Sequence, residues 1–162
     1  MSVNKFKPHV LVLPEDDANR QIARGFALDR FILDRRIQVL PEAGGWIQVL
    51  ERFKNDLAVS MNRFSGRFVV LLIDFDDHPE RLAEARAEIP DHLAERVFVL
   101  GALTEPEALK RAGLGSPEQI GLGVAKDCRE GTDTLWRHPL LRHNAPQLER
   151  LLPHVRPILF PS

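Results

Sequence analysis

The chain has 162 residues, of which 44% are hydrophobic and 28% are charged, as in a globular domain with a hydrophobic core. The 22 Lys and Arg residues are balanced by 23 Asp and Glu residues, which excludes a uniformly basic nucleic-acid-binding surface but not a local basic patch. The single cysteine, Cys128, excludes an intrachain disulfide and a cysteine-based zinc site. No apolar run approaches the roughly 20 residues needed to span a bilayer, and the N-terminus lacks the apolar core of a signal peptide. We therefore expect a cytoplasmic protein without a membrane partner.

The first half of the sequence predicts three strands that alternate with helices. Their apolar positions follow the strand and helix periods, and Pro14 and Pro41 end the first two strands. Asp16 or Asp17 can cap the first helix. The predicted elements are a strand over 9–13, a helix over 15–29, a strand over 35–41, a helix from about Trp46 with Ile47, Leu50, Phe53 and Leu57 as its buried stripe, and a strand over 66–77.

The second half predicts one more strand and several helices. Pro79 lies near the start of the first of these helices, and Thr104 is placed to cap the next. Residues 116–128 fit a helix or, less well, a fifth strand. The predicted elements are a helix over 78–93, a strand over 96–103, a helix over 104–114, and a helical tail over 133–155 that Pro139 and Pro146 interrupt.

This alternation of short apolar strands with helices predicts an α/β fold. Strands of this kind are buried on both faces, so we expect a three-layer sandwich with a central, mainly parallel sheet of four or five strands. The whole chain, 1–162, is expected to be one domain, with a core over about 8–127 and a helical C-terminal extension over about 128–162. In open sheets of this type, ligands bind beyond the carboxyl ends of the strands.

Acidic residues follow the first and third predicted strands. The first strand leads into Glu-Asp-Asp at 15–17, and the third leads into Asp-Phe-Asp-Asp at 74–77. If these strands are neighbours, the carboxylates meet at one edge, where a divalent cation such as Mg²⁺ would relieve their repulsion. On an extended segment Asp74 and Asp76 would point to one side, opposite Glu15, with the phenylalanine between them in the core.

The alternative for single members of this group is helix capping. Asp16 or Asp17 can cap the helix after the first strand, and Asp77 can cap the helix that begins near Pro79. The joint pattern, a glutamate after one strand and Asp-x-Asp after another, favours a metal site over capping.

The same pattern resembles the Toprim fold, the catalytic module of topoisomerases, bacterial primases and OLD-family nucleases. That family has a glutamate at the end of its first strand and Asp-x-Asp at the end of its third, as in VLVLPE and LLIDFD here. The glycine pair in LPEAGGWIQVL also resembles the turn after the family's second strand. The resemblance covers about 8–103, and the tail is similar to stand-alone Toprim-like proteins of bacterial defence systems. Glu15 departs from many members because Asp16, and not glycine, follows it.

The resemblance implies Mg²⁺- or Mn²⁺-dependent phosphoryl transfer on nucleic acid, most simply by a nuclease that hydrolyses phosphodiesters in DNA or RNA. Glu15, Asp74 and Asp76 would be the catalytic residues and metal ligands. The resemblance also implies a separate ATPase or other protein subunit as a partner, and it is compatible with a homo-oligomer. The auxiliary residues expected near the site are Asp16, Asp77, His78, Arg20, Arg24 and Lys126.

Two other functions fit parts of the sequence. Response-regulator receiver domains place acidic residues after strand one and a phosphate-accepting Asp after strand three, and Thr104 and Lys126 lie where receivers use a hydroxyl residue and a lysine. A non-catalytic interaction subunit is the third possibility. An apolar stripe in the tail could form the surface that contacts a partner. Packing of this stripe on the domain itself is the simpler explanation. The stripe comprises Trp136, Leu140, Leu141, Leu148, Leu151 and Leu152.

Overall fold

A four-stranded parallel sheet forms the centre of the molecule. The computed structural model describes residues 2–161, so Met1 and Ser162 of the predicted domain lie outside the described part. The strands are β1 (His9–Pro14), β2 (Ile37–Val39), β3 (Arg67–Leu72) and β4 (Val97–Leu100). All pair in parallel, in the order β2–β1–β3–β4. The predicted α/β fold with a parallel sheet is confirmed, and the sheet has four strands.

Helices cover both faces of this sheet. The helices are α1 (Asp17–Ala27), α2 (Trp46–Arg52), α3 (Ala58–Arg63), α4 (Arg81–Ala87), α5 (Pro106–Arg111), α6 (Pro117–Glu130) and α7 (Ala145–Leu159). A π-helical turn over Phe53–Leu57 joins α2 to α3, and 3₁₀ turns cover Asp91–Arg96 and Arg142–Asn144. None of the described helices has the length and apolarity that a membrane span requires.

The strands are apolar throughout because each contributes side chains to two cores. Successive strand residues point to opposite faces. Leu11 and Leu13 pack with α2, α3 and the turn between them, whereas Val10 and Val12 pack with α1 and α7. Full burial of a side chain such as Phe53 stabilises the fold by about 1.5–3 kcal/mol. The apolar stripe of the tail also packs inward, onto the second core and a smaller cluster beside it.

Several predicted helix boundaries are wrong, and proline explains most of the differences. Pro106 is the first residue of α5, so Glu105 and not Thr104 is its cap. Pro146 is the second residue of α7, so it lies in the first turn of this helix and does not interrupt it. Proline suits a first turn because its missing N–H has no helical partner there. Pro79, expected near the first turn of a helix over 78–93, lies two residues before the start of α4.

Three further predictions are resolved by the structure, of which one is confirmed and two are corrected. Residues 117–130 form a helix, which was the favoured prediction for this segment, and Ser116 and Gln119 make a reciprocal capping box at its start. Ile47, expected in the buried stripe of α2, is 46% exposed. Residues 134–141, expected to be helical, form turns before the 3₁₀ segment.

Candidate functional site

The two acidic segments meet at the carboxyl edge of the sheet, because β1 and β3 are neighbours. Pro14 pairs with Leu72 at the end of the ladder, and the Glu15 amide donates to the Leu72 carbonyl at 2.8 Å. Just beyond the end of β3, the Asp74 amide donates to Oε2 of Glu15 at 2.5 Å. Both side chains are buried, with Glu15 9% and Asp74 7% exposed. The expectation that these carboxylates lie side by side agrees with this geometry.

Asn19 joins a third carboxylate to this pair. Asp16 is the N-cap of α1, where its Oδ1 accepts from the Asn19 amide at 2.9 Å. The Asn19 side chain lies in the first turn of the helix, 1% exposed. Its Nδ2 donates to Oδ1 of Asp16 at 3.0 Å and to Oδ1 of Asp74 at 2.8 Å. One amide group therefore holds two carboxylates close together.

Sequence reasoning missed Asn19, although a signal was present. Asn19 is four residues before Ala23, so both lie on the same, buried face of α1. A polar side chain on an apolar helix face needs a partner, since an unpaired buried amide is costly. The nearby acidic segments were the available acceptors.

Two carboxyl groups of this cluster, those of Glu15 and Asp74, are hard to ionise. Burial raises the pKa of Asp74 to about 8, and the charges of Asp16 and Glu15 contribute to this rise, against the hydrogen bond from Asn19. Burial also raises the pKa of Glu15, again with repulsion from Asp16. Near neutral pH the cluster therefore retains a proton or attracts a cation.

Asp76 does not share the orientation of Asp74, and the expected extended conformation is wrong from this residue onward. Asp76 and Asp77 have left-handed backbone angles, with φ of 48° and 60°. The chain therefore turns away from the strand direction directly after Phe75, which is buried in the core as predicted. The Asp76 side chain is half exposed and forms an ion pair with Arg81 at 2.9 Å.

Arg81 fixes this turn from the start of α4. Its Nη1 donates to the Asp74 carbonyl at 2.8 Å as well as to the Asp76 carboxylate. The guanidinium also lies over the ring of Trp46, 4.9 Å from its centroid. Asp76 remains close enough to Glu15 to raise the pKa of that carboxyl, while Arg81 lowers it.

The basic and auxiliary residues are more dispersed than expected. Arg20 pairs with Asp17 at 3.1 Å and with Glu42 at 3.4 Å. His78 is exposed and pairs with Glu80 at 3.2 Å. These contacts direct both side chains to partners outside the buried cluster.

Three other expected residues lie outside the cluster too. Arg24 and Lys126 are exposed on α1 and α6, and within residues 2–161 neither forms a hydrogen bond or ion pair with the acidic cluster. Asp77 is exposed, and its amide donates to the carbonyl of Leu103. Lys126, the lysine expected for the receiver-like alternative, lies within α6.

The donors suit a hard cation that keeps much of its own hydration shell. Among residues 2–161 no group of three or more His, Cys, Asp or Glu side chains is arranged to hold a metal ion. Mg²⁺, however, commonly takes one or two carboxylates and completes its shell with water and substrate phosphate. Asp16 and Asp74 offer such a pair, since the Asn19 amide reaches both. The chemistry of this set fits Mg²⁺ or Mn²⁺ at a two-carboxylate site.

Truncation of Asn19 tests whether this side chain organises the cluster. Asn19→Ala removes the amide that donates hydrogen bonds to Asp16 and Asp74, so these two neighbouring carboxyl groups each lose a hydrogen-bond donor. We expect a loss of about 1–3 kcal/mol in the free energy of unfolding at pH 7, measured by urea denaturation. Asn62→Ala, which removes an exposed contact with His92, is the control and should change stability little. Equal effects of the two substitutions would contradict the assigned role.

Comparison of the chain with protein-family models, curated proteins and solved structures finds no match. The family resemblance seen in the sequence therefore has no independent support from relatives. What the fold establishes is an α/β domain with a four-stranded parallel sheet and an acidic cluster at its carboxyl edge.

Proposed function

We propose that the acidic cluster is a Mg²⁺-dependent phosphoryl-transfer site acting on nucleic acid, and that the protein is a small Toprim-like nuclease or nuclease subunit. The observation that carries this proposal is the buried contact between Glu15 and Asp74, which lie just beyond the ends of two neighbouring parallel strands. The strand order and the positions of these residues support the Toprim-like assignment expected from the sequence. The pairing of Asp76 with Arg81 departs from that expectation.

The roles of the residues follow from their contacts. Asp16 and Asp74 would hold the ion, which when bound would stabilise charge on the scissile phosphate and orient the attacking water. Glu15 would transfer protons as a general acid or base. Its pKa is raised toward neutral pH, which suits a group in that role. Asn19 orients the two ligands, and Arg81 holds the turn after Asp74.

The alternatives differ in what they require of the same residues. A receiver-like phosphoacceptor would use Asp74 without nucleic acid, and it needs a lysine near that carboxylate. Lys126, the residue expected for this role, lies on α6. A non-catalytic subunit would need no cation at all. A raised carboxylate pKa in a buried cluster of carboxyl groups is more typical of a functional site than of a purely structural one.

Cleavage assays with matched variants test the proposal. Labelled single-stranded and duplex DNA and RNA are incubated with the wild type, Asp74→Asn and Glu15→Gln in Mg²⁺, Mn²⁺ or EDTA. We expect the wild type to cleave only when a divalent ion is present. In both variants the cleavage rate should fall by about 100-fold or more. Asp17→Asn is the control, because Asp17 is adjacent in sequence but its carboxylate pairs with Arg20 at the surface.

Three outcomes would contradict the nuclease assignment. Cleavage that persists in EDTA, or that both site variants retain, would place the activity elsewhere. Absence of cleavage with all four substrates, together with labelling of Asp74 by a small phosphodonor, would favour the receiver-like alternative. Absence of both activities, with a partner complex that survives Asp74→Asn, would favour the non-catalytic subunit.

A further inference from the structure

A basic and aromatic surface lies at the amino end of the sheet, opposite the acidic cluster. Phe6 is 85% exposed, and its ring stands edge-on to Phe64 with 6.4 Å between centroids. Three cations lie over the Phe64 ring: Lys5 Nζ at 5.5 Å, Arg63 Cζ at 5.6 Å and Arg67 Cζ at 4.9 Å from its centroid. We call these five residues the amino-end patch.

The positive charge of this patch is not balanced locally. Within the described chain, none of its three cations forms an ion pair with a carboxylate. The Nε of Arg67 instead donates to Nε2 of His9 at 2.9 Å. Burial, together with the nearby charges of Arg67 and Arg36, lowers the pKa of His9, so the ring is neutral and accepts this bond. The molecule as a whole has a net charge of only −1, so this patch is a local concentration of positive charge.

We propose that the amino-end patch binds single-stranded nucleic acid. Its cations would contact backbone phosphates, and the exposed ring of Phe6 would stack on an unpaired base, which is the combination that single-strand binding uses. Arginine and lysine held over an aromatic ring keep their charge while the ring fixes their position. A membrane surface fits less well, because the patch has one exposed aromatic side chain and no amphipathic helix.

This site is separate from the proposed reaction site and does not depend on it. His9 and Arg67 begin β1 and β3, whereas Glu15 and Asp74 follow the ends of the same strands. Six strand residues span about 20 Å. A single strand of nucleic acid bound at the amino-end patch would therefore contact the protein well away from the acidic cluster.

Binding assays without a divalent ion test this inference independently of cleavage. Fluorescence anisotropy is measured in EDTA with labelled oligothymidine and oligouridine of about 20 nucleotides, using the full chain. We expect the double variant Lys5→Glu/Arg63→Glu to bind at least about tenfold more weakly. Its salt dependence should be shallower by about one unit of slope for each phosphate that the variant no longer neutralises. Phe6→Ala should bind about tenfold more weakly with an unchanged salt slope.

A charge-matched control separates the patch from the overall charge. Lys110→Glu/Arg137→Glu changes the net charge equally at exposed positions elsewhere, and it should bind as the wild type does. Thermal melting of each variant checks that it is folded. Equal weakening in both double variants would overturn the proposal, as would full affinity in Phe6→Ala. If Lys5→Glu/Arg63→Glu abolished binding to vesicles containing anionic lipid and left oligonucleotide binding unchanged, the patch would be assigned to a membrane surface instead.

Discussion

Replacement of Asp74 by asparagine is expected to raise the melting temperature of the protein at pH 8 and to leave it nearly unchanged near pH 4. The folded-state pKa of Asp74 is raised to about 8, whereas the unfolded chain titrates near the ordinary value of 3.8. Between these values the folded state holds a proton that the unfolded state has released. The stability of the wild type therefore falls as the pH rises through this window.

Asparagine removes this penalty because it cannot ionise. Its carbonyl oxygen can still accept the hydrogen bond from Asn19, so the local packing is retained. One pKa unit corresponds to about 1.4 kcal/mol. Because the charges of Asp16 and Glu15 contribute part of the raised pKa, we expect a gain well below the full pKa difference, about 2 kcal/mol at pH 8, or about 4–8 °C in melting temperature.

Thermal melts from pH 4 to pH 8 in EDTA measure this effect. Asp17→Asn, a change of the same chemistry at an exposed carboxylate, should follow the pH dependence of the wild type. Added Mg²⁺ should stabilise the wild type at pH 8 and leave Asp74→Asn unaffected, because a ligand stabilises only the form that binds it. Parallel melting curves for wild type and Asp74→Asn across this range would show that Asp74 ionises normally.

The same substitution is thus expected to increase stability and to remove cleavage. If the Asp74 carboxylate weakens the fold, asparagine would pack at this position at least as well as aspartate. Opposite effects on stability and activity are typical of residues kept for function. This comparison distinguishes a reactive cluster from a structural hydrogen-bond network, in which both properties would fall together.

The sequence was sufficient to predict the meeting of Glu15 and Asp74, because that meeting depends on a regular feature. Apolar strands separated by helices form parallel sheets, and parallel neighbours end at the same edge. The position of Asp76 depends instead on an irregular feature, the turn that follows Phe75. Aspartate tolerates the left-handed conformation but does not require it, so the letters DFDD are compatible with both an extended segment and a turn. Arg81, which fixes the turn, has no distinguishing pattern in the sequence.

The remaining features arise from contacts between distant segments. Asn19 reaches Asp74 across 55 positions, and Arg67 reaches His9 across 58. Local propensity contains no information about either pair. The amino-end patch likewise combines residues 5–6 with 63–67, which become neighbours only because β1 lies beside β3. The balanced composition alone therefore did not reveal this local basic patch.

The second large effect is expected at Gly121, where helix α6 crosses α1. A Cβ atom at this position would overlap the Ile22 carbonyl oxygen and would lie 2.6 Å from the Phe26 amide nitrogen. Gly25 of α1 meets the backbone of Glu118 in the same way. Backbone atoms cannot rotate aside as a side chain can. Alanine at 121 must therefore force the two helices apart, and we expect Gly121→Ala to lower the free energy of unfolding by about 2–3 kcal/mol.

Gly123 provides a matched control on the same helix. A Cβ atom there would meet only the Leu135 side chain, whose end can change rotamer. Alanine is favoured over glycine inside a helix by about 1 kcal/mol, so Gly123→Ala should be neutral or slightly stabilising. Urea denaturation of both variants measures the difference. Equal stability of the two would mean that the α1–α6 crossing relaxes without cost.

This crossing also links the packing of the domain to its site. Helix α1 carries the Asp16 cap and Asn19 at its first turn, so any shift of α1 against α6 moves the donor that holds Asp16 and Asp74 together. Gly121→Ala should therefore lower cleavage more than its smaller folded fraction explains, whereas Gly123→Ala should preserve it. If Gly121→Ala reduced stability but left the cleavage rate per folded molecule unchanged, the cluster would be held by the strands alone.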